Sequence, residues 1–293
     1  MESDKPWHLR YRQGKREQMT NDKLSAEIIQ QDLRTRVFGQ RVVYYERIGS
    51  TNDAARQLAD AGEPEGTLVL ADDQSAGRGR LGRSWIAPAQ SSLLMSLILR
   101  PGLAPAHAAR VTMAVALGAC DALPAATGLL AQIKWPNDLL VRGKKCAGIL
   151  AESGIVGERL EYVIVGIGVN VNFAAAAAGL PRDATTLADE LGKQCPRVEL
   201  AQAILRSVEA YYLRLGAGED LREEYRNRLA TLNQFVRAQT AQRTEEGVAI
   251  EIDENCALIL QRADGSSVLL LAGDVTLSSH GSSETRGAQK PGR

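Results

Sequence analysis

The twelve residues Gln74–Trp85 read QSAGRGRLGRSW. They hold three arginines (Arg78, Arg80, Arg83) and three glycines (Gly77, Gly79, Gly82), and apolar runs flank them: TLVLA at 67–71 and SSLLMSLILR at 91–100. Short apolar runs bounded by turn residues predict buried strands. The chain therefore sets its most flexible residues and three permanent positive charges between two strands. Three readings compete. The segment is a solvated surface loop, a contact to nucleic-acid phosphates, or a site for a small anion. In the third reading the glycines let backbone N–H groups approach a ligand, and the arginines offer forked donors to phosphate or carboxylate. Glycines also make a loop costly to order, so a loop that orders as an anion enters would be a gate. Taken alone, the segment does not decide.

Working outward, IKWPNDLLV (133–141) places Lys134 inside a strand, between Ile133 and Trp135. A lysine there either snorkels at the strand end or aims its ammonium at a buried carboxylate or phosphate, since lysine is rarely buried unpaired. Pro136 stops the strand; Asn137 and Asp138 turn it and present oxygen atoms at the same mouth. GKKCAGI then brings Lys144 and Lys145 to the start of the next strand. In VGIGVNVN (165–172), Gly166 and Gly168 suggest a dinucleotide fingerprint, but Val171 stands where the third glycine belongs. Glycines within a strand mark close approach of a ligand or another backbone. Asn170 and Asn172 are either polar contacts in a nucleotide pocket or a turn.

The remaining pattern is mixed. Residues 1–20 are charged and aperiodic, and Met19 is a second candidate start. A short helix is predicted in 21–35, with Leu24, Ile28 and Leu33 near helical spacing. RVVYYERI (41–48) predicts a strand, and STNDAARQLADAG (50–62) a helix capped by Ser50 or Thr51. Helices are also predicted at 105–123, 198–215 and around 219–231. CAGILAES and EYVIVGIGVNVNF predict two more buried strands. After residue 233 come short strands at QFVRAQT, GVAIEIDE, CALILQR and SSVLLLAGDVTL, a small β-barrel of about 45 residues, too short to stand alone. The chain thus divides into an extension (1–36), a catalytic unit (37–232), a barrel (233–278) and a Ser/Gly-rich tail (279–293).

Bulk properties narrow the function. The 293 residues carry 35 Lys+Arg and 35 Asp+Glu, so net charge is zero and any anion site must be local rather than a nucleic-acid surface. The four cysteines, Cys120, Cys146, Cys195 and Cys256, form no C-x-x-C pair. That pattern fits free thiols in a reducing cytoplasm rather than disulfides or a zinc site. No apolar run approaches the roughly 20 residues of a membrane helix, and the polar N-terminus does not resemble a signal peptide.

Read in order, the segments resemble the biotin–protein ligases. The matching residues are STND at Ser50–Asp53, QSAGRGRLGRSW at Gln74–Trp85, KWPNDLLV at Lys134–Val141, KKCAGILAE at Lys144–Glu152 and GIGVNVN at Gly166–Asn172. GDVTL at Gly273–Leu277 resembles the closing strand of the family's C-terminal barrel. The resemblance implies an α+β fold: a mixed, class II synthetase-like sheet with helices on one side, plus an SH3-like barrel. It implies that biotin and ATP, with Mg²⁺ bridging phosphates, give biotinyl-5′-AMP and pyrophosphate. Biotin then passes to a lysine of a biotin carboxyl carrier domain, of acetyl-CoA carboxylase or a related carboxylase. By motif, Ser50, Thr51, Asn52 and Gln74 hold the biotin head group, and Arg78, Gly79 and Arg80 close over biotin and the adenylate. Lys134 holds the biotin carboxylate, and Asp138 assists the acceptor amine. Arg83, Trp85, Asn137, Lys145 and Asn170 serve ATP or the adenylate. No resident metal site is implied, and no enzyme nucleophile is needed. Fixed cations would offset the repulsion between a carboxylate and a triphosphate, and a closing loop would keep water from the mixed anhydride. About 36 residues precede the first strand, too few for the winged helix-turn-helix of the two-function members, so ligase activity without operator binding is expected. Neither a nucleic-acid nor a membrane partner is expected, and a homodimer is left open. The related alternatives are a lipoate–protein ligase and a biotin-responsive repressor.

Overall fold

A computed structural model describes residues 22–240, 243–271 and 273–277. The expectations for residues 1–20, for a start at Met19 and for the tail lie outside the described residues.

The larger sheet is built from β1 (Val42–Tyr45), β2 (Leu68–Ala71), β3 (Ser92–Leu99), β4 (Ala131–Lys134), β5 (Asp138–Val141), β6 (Lys144–Val156) and β7 (Arg159–Asn170). Its strand order is β1-β2-β3-β7-β6-β5-β4. Only β1 and β2 run parallel, which requires a crossover; helix α2 (Thr51–Asp60) supplies it. Every other neighbouring pair is antiparallel, and tight turns join β4 to β5, β5 to β6 and β6 to β7.

Side chains alternate between the two faces of a strand. Leu93, Met95, Leu97 and Leu99 of β3, with Val163, Val165, Ile167 and Val169 of β7, enter the main core. Two long helices cover that face: α3 (Ala108–Thr127) and α5 (Arg197–Gly216). They pack so closely that a Cβ on Gly118 would lie 2.5 Å from Val208 Cα. The alternate residues Ile98, Ile164 and Tyr162, with Val69, form a separate cluster under Ala54, Ala55 and Ala59 of α2. Helices therefore occupy both faces, not one. The alanine stripe of α2 fits it to the end of the second face and leaves the rest of that face for a ligand.

Two further expectations change. Pro105–Thr127 is long and apolar enough to cross a membrane, with a mean hydropathy of 1.2 over its best window. Its Val111, Val115, Leu117 and Leu123 are buried in the main core, which is the position of a core helix. Among the described residues before β1, α1 (Ala26–Gln30) is the helical segment, capped by the Ser25 hydroxyl. Ile29, not Ile28, is its buried residue, because the helix starts later than the sequence pattern suggested. A short α4 (Leu187–Leu191) precedes α5, and α6 (Arg222–Arg228) follows it.

The last segment forms an antiparallel sheet from β8 (Phe235–Gln239), β9 (Thr244–Ile252), β10 (Leu258–Gln261), β11 (Ser267–Leu270) and β12 (Asp274–Leu277), ordered β11-β10-β9-β8-β12. This is the SH3-like barrel. Its inward residues, among them Val236, Ala249, Leu258 and Leu260, join the same core as α3 and α5. Trp135 fastens the junction: its Nε1 donates to the Cys256 carbonyl at 2.8 Å, and its backbone N–H donates to Thr231 Oγ1 at 2.9 Å. A barrel too small to stand alone thus shares its neighbour's core.

Candidate active site

Beyond α2, the second face of the large sheet carries small residues in register. One row runs Ser96–Gly166–Leu150, and the next runs Leu94–Gly168–Gly148–Asp138. A Cβ on Gly166 would lie 2.3 Å from Asn52 Oδ1, and one on Gly168 would lie 2.7 Å from Trp85 Cε2. The glycines are what let α2 and the indole lie directly on the sheet. Above this floor opens a cavity of about 820 Å³ including its open mouth.

One end of the cavity is lined by the neutral polar side chains of Ser50, Thr51, Asn52 and Gln74, with the Arg78–Glu152 ion pair at its edge. Gln74 Oε1 accepts from the Thr51 N–H at 2.7 Å and from Thr51 Oγ1 at 3.0 Å. Asn52 is fully engaged: Nδ2 donates to Glu152 Oε2 (2.8 Å) and to the Leu150 carbonyl (3.3 Å), while Oδ1 accepts from Ser96 Oγ (2.6 Å). The hydroxyl of Ser50, which precedes α2, makes no capping bond although the residue is only 3% exposed. The Ser50 hydroxyl and the Gln74 amide nitrogen therefore remain for a ligand, as does Trp85 Nε1, which is buried without a partner.

The other end is charged. Lys145 Nζ lies 2.7 Å from Asp138 Oδ1 and 5.7 Å from the centroid of the Trp85 ring. A β-bulge puts it there. The register between β5 and β6 shifts at Leu139/Leu140, so Cys146 and Ala147 both face the core and Lys145 turns to the cavity. Lys134 is the correction. It sits opposite Asp138 on the edge strand β4 and does not line the cavity, and its ammonium makes no hydrogen bond or ion pair among the described residues. Asn137, Asp138 and Lys145 do line the cavity.

The Gly77–Trp85 segment folds over both ends as a flap. Backbone bonds from Gly79 to Arg83 (2.7 Å) and from Trp85 to Gly77 (2.9 Å) give it a defined shape around one 3₁₀ turn, Arg80–Gly82. Each arginine has a protein partner. Arg78 donates to Asp53 Oδ1 (2.6 Å) and Glu152 Oε2 (2.8 Å), and Arg80 to Asn137 Oδ1 (3.0 Å). Arg83 pairs with Asp274 at the start of β12. Arg80 also reaches a second cavity, lined by Trp135, Tyr225 and Cys256 among others, at the barrel junction. Burial lowers the Arg80 pKa, and nearby Asp138 and Asp274 work against that shift. The arrangement can hold a ligand neutral at one end and anionic at the other, shielded from water by the flap.

The model of the biotin/lipoate A/B protein ligase family matches residues 44–170, and that of the biotin protein ligase C-terminal domain matches 231–278. The chain belongs to the biotin protein ligases. It is 36% identical over 249 residues to the bifunctional ligase/repressor BirA of Bacillus spizizenii, covering 83% of this chain and 76% of the relative. It is 34% identical over 271 residues to the biotin–[acetyl-CoA-carboxylase] ligase of Mycobacterium tuberculosis, covering 87% of this chain and 97% of the relative. The structure of an Aquifex aeolicus biotin protein ligase in complex with biotin and ATP superposes with a TM-score of 0.68 at 25% identity, covering 82% of this chain and 99% of that one.

In this ligase the structure brings Ser50, Thr51, Asn52, Gln74, Arg78, Gly79, Arg80, Arg83 and Trp85 to one cavity. Asn170 does not line it. It continues the floor one row beyond Gly168, where its Oδ1 and the Oγ of its cross-strand partner Ser92 are both buried without a partner. Sequence reasoning passed over Ser96, Glu152 and Asp274. Ser96 was hidden in an apolar strand and Glu152 at the end of a motif. Asp274 lies nearly two hundred positions from the arginine it holds.

Proposed function

We propose that the chain activates biotin with ATP and transfers it to a lysine of a biotin carboxyl carrier domain. The observation that carries this is the two-ended cavity. A ureido head group offers one carbonyl acceptor and two N–H donors, which suit the free Gln74 amide nitrogen and Ser50 hydroxyl. The carboxylate end of the same ligand then reaches the Lys145 ammonium, with Arg80 above it. The names of the relatives support the carboxylase acceptor.

In the first step a biotin carboxylate oxygen attacks the α-phosphorus of ATP. The new O–P bond replaces the one to pyrophosphate, which leaves. Lys145 and Arg80 offset the approach of two anions, as preorganised charge does in a shielded site. Asp138 aims Lys145, and the orphaned acceptors at Asn170 and Ser92 suit the donors of the nucleotide. The cavity carboxylates Asp138 and Asp274 are each engaged by a cation; Mg²⁺ would enter with ATP and would supply further neutralisation of its phosphates. In the second step a neutral lysine amine attacks the acyl carbon, AMP leaves, and Asp138 accepts the proton released. The flap keeps the mixed anhydride from water meanwhile. This chemistry calls for neither DNA nor a membrane and suits a cytoplasmic enzyme.

The test is pyrophosphate release by the purified protein with ATP and either biotin or lipoate, followed by mass spectrometry of a carrier domain. Biotin-dependent release and a biotinylated carrier are expected. Release with lipoate alone, or with neither acid, would overturn the reading.

A further inference from the structure

We propose that Glu152 is a positioning residue that sets biotin affinity by fixing two cavity residues at once. This rests on biotin being the ligand. Glu152 lies on β6 two residues beyond Leu150, so it shares the cavity face yet does not line the cavity itself. Its side chain is 19% exposed. One oxygen, Oε2, accepts from Asn52 Nδ2 and from Arg78 Nη2, both at 2.8 Å. The other, Oε1, pairs with Arg56 Nη2 at 3.0 Å. A single carboxylate therefore joins the sheet, helix α2 and the flap.

Each contact constrains something the ligand feels. An amide rotates to suit its partners. Asn52 keeps Oδ1 toward Ser96 because Nδ2 is held by a carboxylate, which only accepts. Without Glu152 the remaining bond from Nδ2 is the 3.3 Å contact to the Leu150 carbonyl. Asn52 Oδ1 also presses on Gly166 in the floor, so its orientation sets the floor's shape. Arg78 would retain Asp53, but that carboxylate is 54% exposed. A pair so open to water holds a long side chain weakly. Glu152 is the more shielded anchor of the flap's first arginine. Arg56 holds the carboxylate in place from the far side.

The experiment compares wild type, Glu152→Ala, the isosteric Glu152→Gln, Arg78→Ala and the Glu152→Ala/Arg78→Ala double variant. Biotin-dependent pyrophosphate release gives kcat and KM for biotin and for ATP, and thermal unfolding gives Tm. Glu152→Ala is expected to raise KM for biotin about tenfold, with kcat and KM for ATP within about threefold, the pattern of lost ligand binding rather than lost chemistry. Glu152→Gln should fall between. The share of the loss carried through Arg78 should vanish in the Arg78→Ala background, because coupled residues are not additive, while the share carried through Asn52 remains. Effects that multiply in the double variant would overturn the proposal. So would a joint rise in both KM values that tracks a fall in Tm, or an unchanged KM for biotin. If Glu152→Ala fails to fold, Glu152→Gln decides by the same criteria. Wild type without biotin-dependent release would instead refute the ligase reading, before any variant is compared.

Discussion

The Lys145 ammonium and the Asp138 carboxylate meet at 2.7 Å across two neighbouring strands, on the cavity face of the sheet. The bulge at Cys146 makes that meeting possible. It also separates two lysines that look equivalent in the sequence. Lys145→Ala should lower adenylate formation by on the order of a hundredfold, the effect of removing one preorganised electrostatic contact. Lys134→Gln should leave it within about threefold, as expected for a half-buried edge-strand residue that does not line the cavity. Pyrophosphate release under saturating biotin and ATP measures both, and the opposite ranking would return the role to Lys134.

Arg83 and Asp274 tie the flap to the barrel. Both side chains are substantially exposed, at 56% and 36%, so the pair adds little to global stability. Its effect should appear in the flap instead. Asp274→Asn is expected to leave Tm nearly unchanged while free biotinyl-AMP escapes several-fold faster. Raising ionic strength should speed escape from wild type in the same direction, because exposed charges are screened. A chase of preformed adenylate with unlabelled biotin reads the rate. An unchanged rate would mean that the barrel does not hold the flap.

The elements that were legible in the sequence are those with strong local signals. Alternating or continuous apolar runs marked β2, β3, β6 and β7, and Ser50 marked the start of α2. The Gln74–Trp85 flap was legible only beside the other motifs, since its glycines and arginines alone left three readings open. What was not legible depends on strand register. Lys145 was marked by its motif, but strict alternation from Gly148 would turn it to the core face with Ala147, and only the shift between Leu139 and Leu140 puts it on the cavity face. Asn52 reads as a ligand contact, yet its donors and acceptor are engaged by Leu150, Glu152 and Ser96, residues brought close by pairing at long range. The placement of α2 on the opposite face from α3 and α5 also follows from the parallel β1–β2 pairing, which no local pattern encodes.

The glycine floor makes a sharp steric claim. Alanine at position 168 would place its methyl 2.7 Å from the Trp85 ring, so either the indole or the flap must move. Gly168→Ala should raise KM for biotin by more than about tenfold while costing about 1–3 kcal/mol of stability at most, the range for overpacking. Changing Trp85 to a smaller residue in the same chain should restore room and recover part of that stability. Denaturant unfolding and steady-state kinetics together test this. Full activity of Gly168→Ala would show that the floor has slack.

The thiols separate direct transfer from a covalent enzyme intermediate. Cys120, Cys146, Cys195 and Cys256 are all buried, and burial pushes each pKa up to about 12. At pH 8 about one thiol in ten thousand is ionised, since each pKa unit is a factor of ten, and the thiolate is the reactive form. Native protein treated with iodoacetamide at pH 8 should therefore keep its activity and gain little mass, whereas urea-unfolded protein should alkylate at all four positions. Raising the pH increases thiolate in the fold only as it nears 12, so the protection should persist through pH 9, where unfolded thiols are already ionising. Cys256 is the informative residue, because it lines the cavity that Arg80 also reaches. Rapid loss of activity with modification of Cys256 alone would argue for a thioester route; survival leaves the adenylate itself as the donor to the acceptor lysine.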